Sequence, residues 1–300
     1  MSKISVIMPV HNEPENILKP AIKSILNQTY SDFEFIIIND ASTTNVEDVI
    51  FSFKDERIRY YKNEQNLGVV GTLNRALDLV TGEYIARMDA DDISFKTRFA
   101  EQVKVLDENE EIGLVATGGI MHPSKQRIQA PQEINDLKYL MICYANCVIH
   151  PSVMFRKKLV EEFDLKYSDK FLHAEDYFLW LQLIFKTNFY TIQKPLILYR
   201  KREESVSNQN LDQQIFNANV LKFKCILKEL AIDDLDLEDA YSKYLRTQTV
   251  SLENYIKIDS IYNQIMKKIA ENTELYWKRF IINYLNEQRQ NLYNSVDWNF

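Results

Sequence analysis

The chain has 300 residues, of which 46% are hydrophobic and 26% charged, proportions that exclude an intrinsically disordered chain. Its 36 Lys and Arg against 43 Asp and Glu leave a net charge of −7, so a nucleic-acid-binding role has no basic face to rest on. The length exceeds what one small core needs, and one large α/β domain with an appendage is expected.

In chain order, Ile4-Ser5-Val6-Ile7-Met8 is a β-rich run stopped by Pro9, which predicts a buried strand followed by a loop. Ile17, Leu18, Ile22, Ile25 and Leu26 share one face of a helix. Phe33 to Ile38 predicts a second strand ending at Asn39-Asp40. A helix over Val46 to Phe53 and a short strand over Ile58 to Tyr61 follow. Gly68 to Ala76 leads into a helix closed by Thr81-Gly82, and Glu83 to Ala86 is the next strand. Beyond it come a helix from Phe95 to about Glu110, a strand over Ile112 to Ala116, and a variable stretch from His122 to Ala145. Val148 to Phe155 has strand character, and Glu175-Asp176 opens an apolar helix, Tyr177 to Phe185. From about Asn210 to Phe300 glycine and proline are absent and the pattern is helical. The division expected is therefore 1–209 and 210–300.

Alternating strands and helices predict a mostly parallel sheet covered on both faces. Such sheets bind ligands beyond the carboxyl ends of their strands. Pro9 to Glu13, Asp40 and Asp89 to Asp92 all fall at those ends. In Arg87-Met88-Asp89-Ala90-Asp91-Asp92, three carboxylates within four residues repel one another unless a cation shares their field. Hard oxygen ligands of this kind suit Mn²⁺ or Mg²⁺, with substrate phosphates completing the shell. The blander alternative is an acidic turn that caps the next helix through Asp92 or Ser94. The loop Val10-His11-Asn12-Glu13-Pro14 lacks the glycines of a dinucleotide fingerprint, and no Walker-type sequence occurs. A metal is the expected means of holding phosphates.

Cys143, Cys147 and Cys225 form no disulfide framework and fit a reducing compartment. Cys143 and Cys147 read as buried small apolar residues rather than zinc ligands. The amino terminus runs straight into a strand without a signal-peptide core. No stretch approaches the roughly eighteen apolar residues of a membrane span. A cytoplasmic protein is expected, with peripheral contact at the inner face of the membrane left open.

Taken in order, Ser5-Val6-Ile7-Met8-Pro9 with Asn12-Glu13, Ile38-Asn39-Asp40-Ala41-Ser42, Asn66-Leu67-Gly68, Ala86 to Asp92, His150-Pro151-Ser152-Val153-Met154, Glu175-Asp176 and Tyr199-Arg200 resemble the family 2 glycosyltransferases. These have the GT-A fold and use nucleotide-activated sugars. The resemblance covers roughly residues 3–207. It implies a catalytic domain over 1–209, with about 1–95 binding the nucleotide-sugar and about 96–209 facing the acceptor. It implies Asp91 as metal ligand, with Asp89 as its partner toward the ribose. Asp40 would accept a hydrogen bond from the base ring, and because uracil offers an N3–H where cytosine has none, a UDP-sugar is favoured. Pro9, His11 and Glu13 would line the base and ribose pocket, with Asn66, Asn74 and Arg87 also on the nucleotide side. Asp176, preceded by Glu175, would be the catalytic base that takes the acceptor proton.

Two positions depart from the family pattern. Leu73 stands where many relatives have Arg, so Arg75 or Arg87 would have to supply that contact. Arg202 stands where relatives often have His. It cannot ligate a metal but can pair with a diphosphate, so Arg200 or Arg202 is expected to assist the leaving group.

The expected activity is inverting transfer from a UDP-sugar to a hydroxyl of a glycan or lipid-linked acceptor, in bacterial surface polysaccharide or lipopolysaccharide biosynthesis. A sugar-phosphate nucleotidyltransferase would want a glycine-rich basic loop after the first strand. A catalytically silent nucleotide-sugar-binding scaffold would not need Asp89, Asp91 and Asp176. In the helical tail, Tyr276, Phe280, Tyr284 and Trp277, Ile281, Leu285 form stripes four apart. Packing against the catalytic domain, a homodimer interface, and docking on an anionic membrane surface compete to explain them.

Overall fold

The computed structural model of the chain describes residues 2–132, 134–143, 146–201, 210–229, 241, 251–271 and 278–296. The chain forms two compact units, Met1–Ile134 with Cys147–Gln209, and Asn135–Asn146 with Asn210–Phe300. The segment Asn135–Asn146, placed by sequence within 1–209, thus groups with the helical unit.

The first unit is built on a nine-stranded mixed sheet. Its strands in chain order are β1 (Ile4–Val10), β2 (Phe33–Asn39), β3 (Ile58–Lys62), β4 (Tyr84–Arg87), β5 (Ile93–Ser94), β6 (Ile112–His122), β7 (Arg127–Ile128), β8 (Met154–Arg156) and β9 (Asn188–Arg200). Its helices are α1 (Glu15–Leu26), α2 (Val46–Phe51), α3 (Gly68–Leu79), α4 (Arg98–Glu108), α6 (Lys157–Phe163) and α7 (Glu175–Leu183), while α5 (Ile134–Cys143) leads into the second unit. β2 is buried along its whole length and β1 everywhere except Pro9. Continuous apolar runs of this kind are what a parallel strand covered on both faces requires. α1 supplies part of the cover through Leu18, Ala21, Ile22 and Ile25, and α3 adds Val70, Leu73, Ala76 and Leu77.

The order is β3-β2-β1-β4-β8-β6-β9-β5, with β7 paired to β6. β3, β2, β1 and β4 run parallel, so the loops after β1, β2 and β4 open at one edge. At the opposite edge the buried Glu34 ties the amino ends together. It accepts hydrogen bonds from Ser5 Oγ (2.5 Å), Thr81 N–H (2.8 Å) and Thr81 Oγ1 (2.7 Å), and pairs with Arg59. That carboxylate is fully engaged within the fold and has a structural role.

Two parts of the sheet differ from the sequence expectation. Of the expected strand Val148–Phe155 only Met154 and Phe155 pair antiparallel to β4, with Arg156 beyond its expected end, because His150–Ser152 forms a 3-10 turn around Pro151. β9 was not expected from sequence. It pairs parallel to β6 with register shifts around Gly118, and the Lys194 carbonyl lies 3.1 Å from where a Cβ on Gly118 would be. The bulge and Lys194-Pro195 break the two-residue alternation that would have announced a strand.

In the second unit, helices Leu252–Glu271 and Lys278–Asn294 are joined by Arg289, which donates to both oxygens of Asp259 (2.6 and 2.9 Å). Ile258, Tyr262, Ile265 and Ile269 form the buried stripe of the first, and Tyr284 and Leu285 are buried in the second. Tyr276, Trp277 and the side chains of Phe280 and Ile281 lie outside the described residues. Among the described residues, no helix is long and apolar enough to cross a membrane.

Candidate active site

The loops after β1 and β2 are knitted to one another. The carboxyl group of Asp40, 4% exposed, accepts through Oδ1 from Asn63 Nδ2 (2.7 Å) and from the Leu67 N–H (2.8 Å). The loop entering α3 thereby holds it in one orientation. His11 Nδ1 lies 2.7 Å from the Asp40 carbonyl oxygen. Asn66 accepts from the Gly68 N–H (2.8 Å) and places its amide nitrogen 3.3 Å from His11 Nε2. Asn12 (φ 55) and Ala41 (φ 50) both adopt left-handed backbone, uncommon for residues with a Cβ and concentrated where loops carry function. Pro9 and Glu13 are half-buried beside them, and Glu13 opens onto a cleft of about 370 Å³ with Thr44, Asn45 and Asp48.

The acidic turn follows β4. Asp89, Asp91 and Asp92 each offer a carboxylate oxygen within 4.8 Å of the others. Asp92 does not cap a helix, because α4 starts later with Thr97 as its N-cap. Its Oδ1 instead accepts from the Arg200 N–H (2.8 Å), fixing the end of β9 to the turn. Ser94 lies in β5, where it accepts from Gln28 Nε2 (3.0 Å). The Arg200 side chain donates to the Asp91 carbonyl and, through Nη2, to the Ile17 carbonyl (2.9 Å). These bonds brace the turn. Arg202 lies outside the described residues.

Burial, reinforced by Asp89 and Asp91, pushes the Asp92 carboxyl well above its ordinary 3.8. Burial also lifts Asp89, with Arg87 pulling it down and Asp91 pushing it up. A set of hard oxygens that repel one another fits a divalent cation, which would relieve the repulsion. The sign of the pH effect follows. The metal-free folded protein binds more protons than the unfolded chain between the ordinary value of 3.8 and the raised folded values. Its stability therefore falls as pH rises through that window. The rise in Tm produced by Mn²⁺ is expected to grow from acid to neutral pH in a thermal-unfolding series. A shift that stays flat across the series would place the cation elsewhere.

Arg87, only 4% exposed, forms an ion pair with Asp89. Burial disfavours its charge, but Asp89 outweighs this and holds its pKa up. Behind it lies Arg98, wholly buried, which donates to the Pro151 carbonyl and to the Arg87 carbonyl (3.4 Å). Burial and the repulsion of Arg87 push the Arg98 guanidinium down to about 9.

α7 opens directly with Glu175 and Asp176, because its N-cap is Ala174, whose side chain cannot accept a bond. Asp176 Oδ1 accepts from the Tyr177 N–H (2.7 Å). Burial pushes the Glu175 carboxyl up, with backbone N–H groups and Arg87 opposing and Asp89 adding to the rise. The start of α7 therefore shares an electrostatic field with the acidic turn.

Asn74 meets the backbone of Tyr167 with both ends of its amide, donating to the carbonyl (3.0 Å) and accepting from the N–H (2.8 Å). It braces α3 against the loop before α7. Arg75 is likewise turned inward, to the Lys62 carbonyl (2.8 Å) and Asn63.

Two neighbours of the site carried no assigned role in the sequence. Tyr167 is buried with its hydroxyl 3.0 Å from His150 Nε2, and the His150 ring meets Trp180 of α7 edge-on at 5.9 Å. Burial, then Arg87, drives the His150 pKa well below 6.5, so the imidazole is neutral. The His150-Pro151 pair was visible in the sequence, whereas a single Tyr167 in a polar loop gave no signal.

Residues 5–163 match the family described as Glycosyl transferase family 2. The uncharacterized glycosyltransferase MJ1057 of Methanocaldococcus jannaschii is 36% identical over 209 residues, covering 66% of this chain and 70% of that protein. WfgD of Escherichia coli, described as a UDP-Glc:alpha-D-GlcNAc-diphosphoundecaprenol beta-1,3-glucosyltransferase, is 30% identical over 214 residues, covering 70% of this chain and 81% of its own. The crystal structure of residues 1–349 of S. aureus TarS with UDP-GlcNAc superposes with a TM-score of 0.64 at 16% identity. It covers 99% of this chain and 93% of that one. Sequence match and shared architecture lead to one assignment: the chain belongs to glycosyl transferase family 2 and is a glycosyltransferase of the GT-A fold.

Proposed function

We propose that the chain transfers a sugar, with inversion, from a UDP-sugar to a hydroxyl group of a glycan or lipid-linked acceptor, at the cytoplasmic face of the membrane in bacterial surface polysaccharide or lipopolysaccharide biosynthesis. The observation that carries this reading is the shared field of the acidic turn and the Glu175-Asp176 start of α7, at the edge where the Asp40 carboxyl is held in one orientation. The name of WfgD specifies a UDP-sugar donor and a lipid diphosphate acceptor, and the TarS complex contains a UDP-sugar.

In this reading Asp40, His11, Pro9, Glu13 and Asn66 form the nucleoside end. Asp91 with Asp89 would hold Mn²⁺ or Mg²⁺, whose charge offsets that of the diphosphate. Arg87 favours the ionised form of Asp89 and orients it. Asp176 removes the proton of the acceptor hydroxyl as its oxygen bonds to the anomeric carbon, and the bond from that carbon to the diphosphate oxygen breaks on the opposite face. The products are the glycosylated acceptor, the nucleoside diphosphate and a proton passed from Asp176 to solvent.

A thermal-shift screen of UDP-, GDP- and CDP-sugars with and without Mn²⁺, followed by turnover of the best donor, tests the proposal. UDP-sugars are expected to give the largest metal-dependent shift. A larger shift with a GDP- or CDP-sugar would overturn the uridine assignment. Binding without hydrolysis or transfer would favour a scaffold.

A further inference from the structure

Asn12 was given no role above, yet it ties the loop after β1 to the loop after β2, and its own orientation can be deduced. Its Oδ1 faces two backbone donors, the N–H groups of Thr43 (2.7 Å) and Thr44 (3.2 Å), together with Thr43 Oγ1 (3.1 Å). Backbone N–H groups can only donate, so the oxygen of the amide must be on that side. The Nδ2 group is then the one 2.9 Å from His11 Nε2. An amide NH₂ can only donate, so Nε2 must be the accepting nitrogen. The proton of the neutral ring therefore resides on Nδ1, where it meets the Asp40 carbonyl oxygen at 2.7 Å. Asn66 Nδ2 lies 3.3 Å from Nε2 and 3.5 Å from Nδ1 of the same ring and so does not distinguish the two nitrogens. The Asn12 N–H donates in turn to Ser42 Oγ (2.9 Å). One side chain in left-handed backbone thus joins the two loops and fixes both the tautomer and the plane of the imidazole beside Asp40.

We infer that Asn12 is a positioning residue that locks His11 as the Nδ1–H tautomer and turns its ring into a fixed wall for the nucleoside of the bound donor. The inference rests on the proposed function for the identity of that ligand, but the lock itself is a property of the free protein. A flexible ring would have to be ordered on binding, at a cost in donor affinity. The lock removes that cost before the donor arrives. It acts on binding and not on the transfer step, so its loss should raise KM for the donor and leave kcat in place.

The test uses the whole 300-residue chain, two substitutions at Asn12 and one at His11. Asn12→Gly removes the amide while tolerating the left-handed backbone. Asn12→Asp keeps an oxygen for Thr43 and Thr44 but places a second acceptor against Nε2. Nitrogen-15 spectra of the histidine rings, recorded at alkaline pH where imidazole is neutral, are expected to show His11 as a single Nδ1–H species. His11→Gln identifies its resonance. Asn12→Gly should give a mixture of tautomers, and Asn12→Asp should move the proton to Nε2. Binding of UDP with Mn²⁺ should weaken about tenfold in Asn12→Gly, with donor KM rising alike and kcat within about twofold, a difference on the order of 1.4 kcal/mol. An Nε2–H ring in the unsubstituted protein, or an unchanged tautomer in Asn12→Gly, would overturn the lock. A changed tautomer with unchanged UDP affinity would overturn the wall. Failure of the unsubstituted protein to bind UDP would overturn the nucleotide reading, and the spectra would still decide the lock.

Discussion

Asp176→Asn is expected to reduce sugar transfer by at least about a hundredfold, the scale of general-base loss, while leaving UDP and donor affinity close to their original values. The substitution is suited to the question because it keeps the shape of the side chain. An Asn oxygen can still accept from the Tyr177 N–H, as Asp176 Oδ1 does at 2.7 Å, so α7 retains its first turn. What disappears is the capacity to take a proton. The donor contacts proposed above lie at the ends of β1, β2, β3 and β4 and in the loops that follow them, and none of them involves Asp176. Progress curves with donor and acceptor, beside calorimetric titration with UDP, separate the two quantities. Near-normal transfer would remove Asp176 as the base, and a parallel collapse of UDP binding would show that it helps to build the donor site.

Asp91→Asn is expected to lower Mn²⁺-dependent UDP affinity by at least about tenfold. Weakening even of the groups that orient metal ligands costs about 10–100-fold, and loss of a ligand should not cost less. The same substitution removes one of the repulsions acting on Asp89 and Asp92. The metal-free variant should therefore be at least as heat-stable as the original protein, yet respond less to Mn²⁺. That pairing of results distinguishes loss of a ligand from damage to the fold. Unchanged Mn²⁺-dependent affinity would take Asp91 out of the metal site.

The parallel half of the sheet could be read from the sequence chiefly through β1 and β2, which are short and almost wholly apolar. Ile4 to Met8 and Phe33 to Ile38 are runs that few other structures accommodate. The acidic turn was legible for a similar reason, since hard oxygen donors in such density have few uses. The far half was harder. β9 carries Lys194-Pro195 in its middle and shifts register against β6, so its pattern obeys no single period. Pro151 turned a strand-like run into a 3-10 turn. The contacts of the site were less legible still. Asn74 and Arg200 are polar residues in motifs, but whether such a residue meets a ligand or a backbone carbonyl is decided by residues far away in the chain. Tyr167 acquires its place only when Asn74, almost a hundred positions earlier, clamps its backbone. Asn12 stood in plain view, with nothing in its neighbours to show that Thr43 and Thr44 would surround it.

The position of β4 bears on how the molecule reaches this state. Tyr84 pairs with Ile4 on one side and with Arg156 on the other, so the strand leading into the acidic turn is completed only by partners distant in sequence. Closing loops of that size precedes any reward from the contacts they make, which makes such pairings slow to form. The three aspartates lie within four residues and are neighbours from the outset, but the arrangement in which they face one another is fixed only once the strand before them is paired on both sides. In this protein a cation would be captured by a nearly finished fold, in contrast to small metal-nucleated domains that cannot form without one.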